Sequence, residues 1–217
     1  KIKSWRKKVK IQKKLSRLGI QKEEELNPKD VNYLAHSIVS YITTTFPVLQ
    51  EKYNEILAKI LNCKMYYAKI TENIAQINYI YEDNSIYISD DIDIMEPNEQ
   101  LYHEIVHYLQ VFRKNNGKIK KIGLCDFGDF SVKGLGINEA AVQYISAKLM
   151  KNDSQKVNAL GIQLNTISSK FYPLLTNLIE QIVYLIGEDI LVKSALNVDD
   201  EFEEILYNTF EEKTNQI

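Results

Sequence analysis

Residues 103–107 of this chain, His-Glu-Ile-Val-His, constrain it more than any other feature. Side chains four residues apart in an α-helix lie on one face, about one turn apart. In a helix, His103 and His107 would therefore present two imidazole rings to the same side, and Glu104 would lie beside them. The chain has only three histidines, so two of them at this spacing with a glutamate between them are unlike a chance arrangement.

The surrounding residues predict the helix that this arrangement needs. Pro97 suits a first helical position, and Glu99 suits a first turn. An apolar stripe follows at helical spacing: Leu101, Ile105, Leu109 and Phe112. The stripe would hold the helix against a core while the histidines face a cleft. The alternative is an amphipathic helix whose histidines and glutamate only occupy its polar face.

The form H-E-x-x-H is typical of a zinc site in which two histidines bind the ion and the glutamate is a general base. Zinc prefers nitrogen, sulfur and carboxylate ligands, and catalytic sites use three protein ligands. His103 and His107 are thus predicted zinc ligands, and Glu104 is the predicted general base in the hydrolysis of a peptide bond by a metal-activated water.

A third ligand is expected downstream, and Glu139 is the best placed carboxylate. It opens a predicted helix over 136–149, with Asn138 as a plausible cap, after a predicted loop over 113–136. Glu139 could instead be an ordinary first-turn acid. Tyr144 is a guess for the donor that stabilises the oxyanion, although core packing is the more common use of a tyrosine in a chain with fourteen of them.

The pair of motifs, His-Glu-Ile-Val-His and the later Gly-Ile-Asn-Glu-Ala, resembles the gluzincin metallopeptidases. The resemblance covers 103–112 and 136–147. It implies His103, His107 and Glu139 as zinc ligands and Glu104 as general base. The segment Gly123-Leu124-Cys125-Asp126 is faintly similar to aspzincins, so Asp126 or Asp129 stays open as the third ligand.

Strand and helix patterns predict an α+β fold, mostly helical and zincin-like, with a small antiparallel sheet before the motif helix. Strands are predicted over 65–70, 74–81 and 85–88, because Ile and Tyr dominate these runs. Asn27 and Pro28 predict a helix start, and apolar spacing predicts helices over 31–42, 49–60, 160–167, 174–186 and 202–210. The part from about 138 is expected to be helical.

The domain organisation follows from charge. Residues 1–22 hold ten of the 27 basic residues and no acidic one, whereas the rest holds 17 basic and 29 acidic residues. We therefore predict a basic N-terminal arm over 1–22 and a single metallopeptidase domain over 23–217. The arm could contact an anionic surface, or it could be a terminal extension that packs on the acidic body. Since it lacks a core-sized apolar stripe, its deletion is expected to leave stability and activity nearly unchanged.

The expected function is a zinc-dependent peptidase acting on a peptide or protein substrate. The alternative is a non-catalytic interaction protein that retains the same fold. Specific nucleic-acid binding is not expected, because no reader motif is present and the body is acidic. Two cysteines are too few for a disulfide framework. A cytoplasmic location is favoured, and an exported or membrane-anchored form stays open because the chain opens on Lys1.

Overall fold

The computed structural model describes residues 2–114, 117–127 and 132–210. The helices in this part of the chain are α1 (Ile2–Arg17), α2 (Pro28–Thr45), α3 (Tyr53–Leu61), α4 (Glu99–Gln110), α5 (Leu135–Leu149), α6 (Pro173–Ile186), α7 (Glu188–Ala195) and α8 (Glu201–Phe210), with a 3-10 helix at Pro47–Lys52. The strands are β1 (Ile20–Glu25), β2 (Lys64–Ile70), β3 (Ile77–Ile80), β4 (Ser85–Ser89), β5 (Val111–Arg113), β6 (Ile119–Ile122), β7 (Asp126–Phe127), β8 (Val132–Lys133), β9 (Gln155–Ala159) and β10 (Ile162–Thr166).

The main sheet has the strand order β1-β2-β4-β3. Strand β4 pairs antiparallel with β3 and parallel with β2, while β1 pairs antiparallel with β2. The sheet is therefore mixed, and the prediction of an antiparallel sheet is wrong in this respect. All five residues of β4 are buried, which suits a central strand between two neighbours.

Helices of the described region enclose one large core with this sheet. The core combines residues of α2, α3, α4 and α5 with β2, β3 and β4, and it extends to α7 and α8. The α+β class is thus confirmed at the level of mixed helices and small sheets. None of the described helices is both long enough and apolar enough to cross a membrane.

The N-terminal residues take part in this fold. Strand β1 spans the predicted boundary between residues 22 and 23 and pairs with β2. Leu15 of α1 and Ile20 are 5% and 3% exposed, and they form a second apolar cluster with residues of the sheet. Residues 1–22 thus contribute two apolar side chains to a core. This agrees with the alternative that the segment packs on the body, and it argues against the prediction that its deletion leaves stability nearly unchanged.

Two further regions differ from the prediction. The predicted loop over 113–136 contains the short hairpins β5–β6 and β7–β8. The predicted helix over 160–167 is instead the turn and second strand of the hairpin β9–β10. Leu160 and Gly161 have positive φ angles of 52° and 79°, and two such residues make the tight turn that joins antiparallel strands. Apolar spacing at 160, 164 and 167 imitated a helical period.

Candidate metal centre

The motif residues lie on α4, as predicted. The helix begins two residues after Pro97, and Asn98 is its N-cap, with its side chain accepting a hydrogen bond from the backbone N–H of Leu101. Apolar residues on one side of α4, including Leu101 and Ile105, are almost fully buried. His107 is 5% exposed, and the side chain of His103 is 12% exposed.

Glu139 is carried by α5, which packs against α4. It is the fifth residue of that helix, because α5 begins at Leu135 after the cap Gly134. The prediction that Glu139 opens the helix and that Asn138 caps it is wrong. Ala140 and Ala141 are fully buried, and such small side chains let two helices approach closely.

The three predicted ligands meet at one point. Nε2 of His103 and Nε2 of His107 are 3.0 Å apart. The carboxylate of Glu139 lies 3.5 Å from the first of these nitrogens and 3.3 Å from the second. All three ligating atoms lie within 4.8 Å of one another, so the group could hold a metal ion.

The second nitrogen of each ring is also engaged. Nδ1 of His103 lies 3.0 Å from the side-chain oxygen of Gln143, and Nδ1 of His107 lies 3.1 Å from the hydroxyl of Tyr81. The amide nitrogen of Gln143 in turn donates to Ser168 over 2.9 Å and to Glu99. Both rings are thereby held with their Nε2 atoms toward Glu139.

Neither of these two oxygen atoms was identified from the sequence. Gln143 follows Glu139 by four residues and so shares its face of α5, which is a signal that could have been used. Tyr81 directly follows β3. No sequence spacing links Tyr81 to α4, so this contact could not be predicted from local pattern.

Glu104 lies next to the cluster without belonging to it. Its carboxylate accepts a hydrogen bond of 2.8 Å from the backbone N–H of Tyr79 in β3. Burial raises the pKa of Glu104 above its ordinary value, although the nearby histidines and this N–H oppose the shift. The carboxylate is therefore held in one place and has an increased affinity for a proton.

The cluster also changes the proton affinities of its own members. Burial acts to lower the pKa of His103, but the hydrogen bond to Glu139 and the charges of Glu104 and Glu139 outweigh it and raise that pKa. Burial acts to raise the pKa of Glu139, but hydrogen bonds to His103 and His107 hold it far below its ordinary value. The site therefore favours a positive charge among these groups.

Tyr172 borders the site next to His103. Its ring lies over that of His103, with centroids 6.2 Å apart and planes 21° apart, and the residue is 50% exposed. Burial, with the charges of Glu139 and Glu104, raises the pKa of its hydroxyl. Its φ and ψ of 46° and 44° are left-handed, a conformation that costs a non-glycine residue about 1–3 kcal/mol.

Other predicted residues are placed elsewhere. The hydroxyl of Tyr144 donates to Glu188 over 2.5 Å, so the guess that it faces the site is wrong: it lies on a different face of α5 from Glu139. Of Asp126 the structure describes only the backbone, in β7, and Asp129 lies outside the described residues.

A groove of about 1020 Å³ lies apart from this cluster, between α8 and the β5–β6 hairpin. Leu124, Ile137, Phe202 and Leu206 are among the residues that line it, and neither the two histidines nor Glu139 does. The predicted metal ligands therefore do not line this groove.

Comparison with known proteins leaves the site to be judged on its own geometry. No family model matches the chain. No curated protein and no solved structure matches it either.

Proposed function

We propose that this protein is a zinc-dependent peptidase of the gluzincin type. In this proposal His103, His107 and Glu139 hold the zinc ion, and Glu104 is the general base. The substrate is a peptide or protein, cleaved at a peptide bond by a metal-activated water.

The observation that carries the proposal is that two imidazole nitrogens and one carboxylate, all with free lone pairs, converge on one point. Two Nε2 atoms 3.0 Å apart, both beside the Glu139 carboxylate, repel one another unless a proton or a metal cation lies among them. Ligands about 2.0–2.1 Å from one zinc ion in tetrahedral geometry lie roughly 3.3–3.4 Å apart. The observed 3.0, 3.3 and 3.5 Å are close to that spacing, and two nitrogens with one carboxylate suit zinc better than calcium or magnesium.

The ring orientations support the same assignment. An imidazole that ligates through Nε2 carries its hydrogen on Nδ1 and needs an acceptor there. Gln143 and Tyr81 offer oxygen atoms to these two positions. Neither imidazole ring would therefore have to rotate to bind a metal ion through Nε2.

In the proposed reaction the metal and the side chains of the protein would have separate roles. Zinc bound at this position would polarise the scissile carbonyl and lower the pKa of a water. Glu104, held by the Tyr79 N–H, would accept a proton from that water and pass it to the leaving amine. The direction of its pKa shift, upward, suits a group that must take up a proton and then release it.

Tyr172 is our candidate for the donor to the developing oxyanion. It lies over His103, is half exposed, and keeps a hydroxyl with a raised pKa and hence protonated. Left-handed backbone at a site-bordering residue is the kind of strain that functional sites retain. This position replaces the earlier guess of Tyr144.

The direct test measures zinc in the purified protein and hydrolysis of a generic unfolded protein. We expect one zinc per chain and a hydrolysis that a chelator abolishes and added zinc restores. A wild-type protein without zinc would refute the proposal. Bound zinc without hydrolysis of unfolded or folded substrates would favour the non-catalytic alternative.

A further inference from the structure

Two buried amide side chains connect the end of α4 with the beginning of α5. Gln110 and Asn138 are 0% and 2% exposed. Nδ2 of Asn138 donates to Oε1 of Gln110 over 3.1 Å, and Oδ1 of Asn138 accepts from the backbone N–H of Leu124 over 3.0 Å. Gln110 follows His107 by three residues, and Asn138 directly precedes Glu139. The amide pair therefore joins the two segments that carry the metal-binding side chains.

The chain passing over this pair is built to fit it. Gly123 has a φ of 45°, and its N–H donates to the backbone oxygen of Gln110 over 3.1 Å. A Cβ at Gly123 would lie 2.3 Å from Oδ1 of Asn138 and 2.5 Å from Nε2 of Gln110. Gly134, the cap of α5, has a similar restriction, because a Cβ there would lie 2.6 Å from the backbone oxygen of Leu124. Only glycine leaves room for this junction.

We infer that Asn138 and Gln110 are positioning residues that set the distance between Glu139 and the two histidines. The inference rests on the proposed metal centre. It states that a contact between two residues that are not ligands fixes the relative positions of the ligands. Metal ligands must be held within about 0.5 Å of their productive positions. A buried amide that loses its partner leaves an unsatisfied donor or acceptor, so the two helices would separate or rotate there, and Glu139 would move with α5.

The test compares zinc affinity and the absorption spectrum of the cobalt-substituted protein among wild type, Asn138→Ala, Gln110→Met and the double variant. Each single variant should bind zinc about 10–100-fold more weakly, as for other residues that support metal ligands. Its cobalt spectrum should differ from that of wild type, because the carboxylate of Glu139 would no longer lie at the same distance from the ion. The double variant should lose no more affinity than Asn138→Ala alone, since Asn138→Ala already removes the hydrogen bond to Gln110 that Gln110→Met removes.

Ser146→Ala is the matched control. Ser146 lies on α5, is fully buried, and its hydroxyl donates to the backbone oxygen of Val142 over 2.8 Å. This variant should change thermal stability and leave zinc affinity and the cobalt spectrum as in wild type. If Asn138→Ala does not fold, Gln110→Met carries the test, because it removes the acceptor and keeps the bond from Leu124 to Asn138.

The outcomes separate this inference from the proposed function. Wild-type zinc affinity in Asn138→Ala and Gln110→Met would overturn the inference and leave the proposed function standing. An equal loss of affinity in Ser146→Ala would also overturn it, since any buried polar change in α5 would then have the same effect. A wild-type protein that binds no zinc would refute both.

Discussion

The side-chain oxygen of Gln143 lies 3.0 Å from Nδ1 of His103, and this contact determines which nitrogen of the ring is free. The amide nitrogen of Gln143 is directed at Glu99 and Ser168, so the amide oxygen must face the ring. Because that oxygen can only accept, Nδ1 carries the hydrogen and Nε2 keeps its lone pair in the neutral ring. The free nitrogen faces Glu139, as a metal ligand requires.

Replacing Gln143 should therefore weaken zinc binding without removing a ligand. We expect Gln143→Leu to lower zinc affinity about 10–100-fold, because His103 loses the acceptor that selects its tautomer. Competition with a chromophoric chelator would measure this. Gln181→Leu is the control, since Gln181 is an exposed residue of α6 that donates to Asn177; an equal loss there would contradict the role of Gln143.

Removing a ligand should have a larger effect. In His103→Ala and in Glu139→Ala the zinc content of the purified protein should fall sharply, because two ligands do not complete a catalytic zinc site. Asp126→Ala should keep its zinc. Elemental analysis measures all three variants. Full zinc in Glu139→Ala together with loss in Asp126→Ala would assign the third ligand to the aspartate.

Glu104→Gln should separate catalysis from metal binding. The replacement has similar size and both histidines remain, so zinc content should equal that of wild type. Hydrolysis of an unfolded protein should fall by about two to four orders of magnitude, because the amide cannot accept a proton. Zinc content and hydrolysis rate are measured in parallel, and wild-type activity in this variant would exclude Glu104 as the base.

Tyr172→Phe should reduce the rate and leave zinc affinity unchanged. Losing one hydrogen-bond donor to an oxyanion costs about 10²–10³ in kcat, while KM should change little because the donor acts mainly in the transition state. Steady-state kinetics on a peptide substrate would show this division. Tyr184→Phe, at a residue that is 90% exposed, is the control; equal effects of the two variants would remove Tyr172 from the mechanism.

Truncating the buried side chain of α1 should destabilise the protein. Leu15 is 5% exposed and packs with Ile20 and the sheet, so Leu15→Ala should cost about 2–5 kcal/mol of unfolding free energy. Leu18 lies three residues further and is 37% exposed, so Leu18→Ala should lower the free energy of unfolding by no more than about 0.5 kcal/mol. Denaturant unfolding followed by circular dichroism would measure both. Equal and small effects of the two variants would support the prediction that residues 1–22 are dispensable for stability.

Local features of the chain were predictable from sequence because their causes are local. His103 and His107 share a face of α4 since four residues make about one helical turn. Asn27 and Pro28 begin α2 for equally local reasons. Strands β3 and β4 follow from side-chain type, because Ile and Tyr dominate these runs. None of these features depends on a distant segment.

Only the tertiary structure decided how distant segments meet. Thirty-one residues separate His107 from Glu139, and their contact depends on the packing of α5 against α4, which also placed Asn138 inside the helix rather than at its cap. The parallel pairing of β4 with β2 and the burial of Leu15 of α1 against the sheet have the same origin. Helical period and turn preference act over a few residues, whereas these contacts depend on which apolar surfaces and buried polar groups find partners across the whole fold.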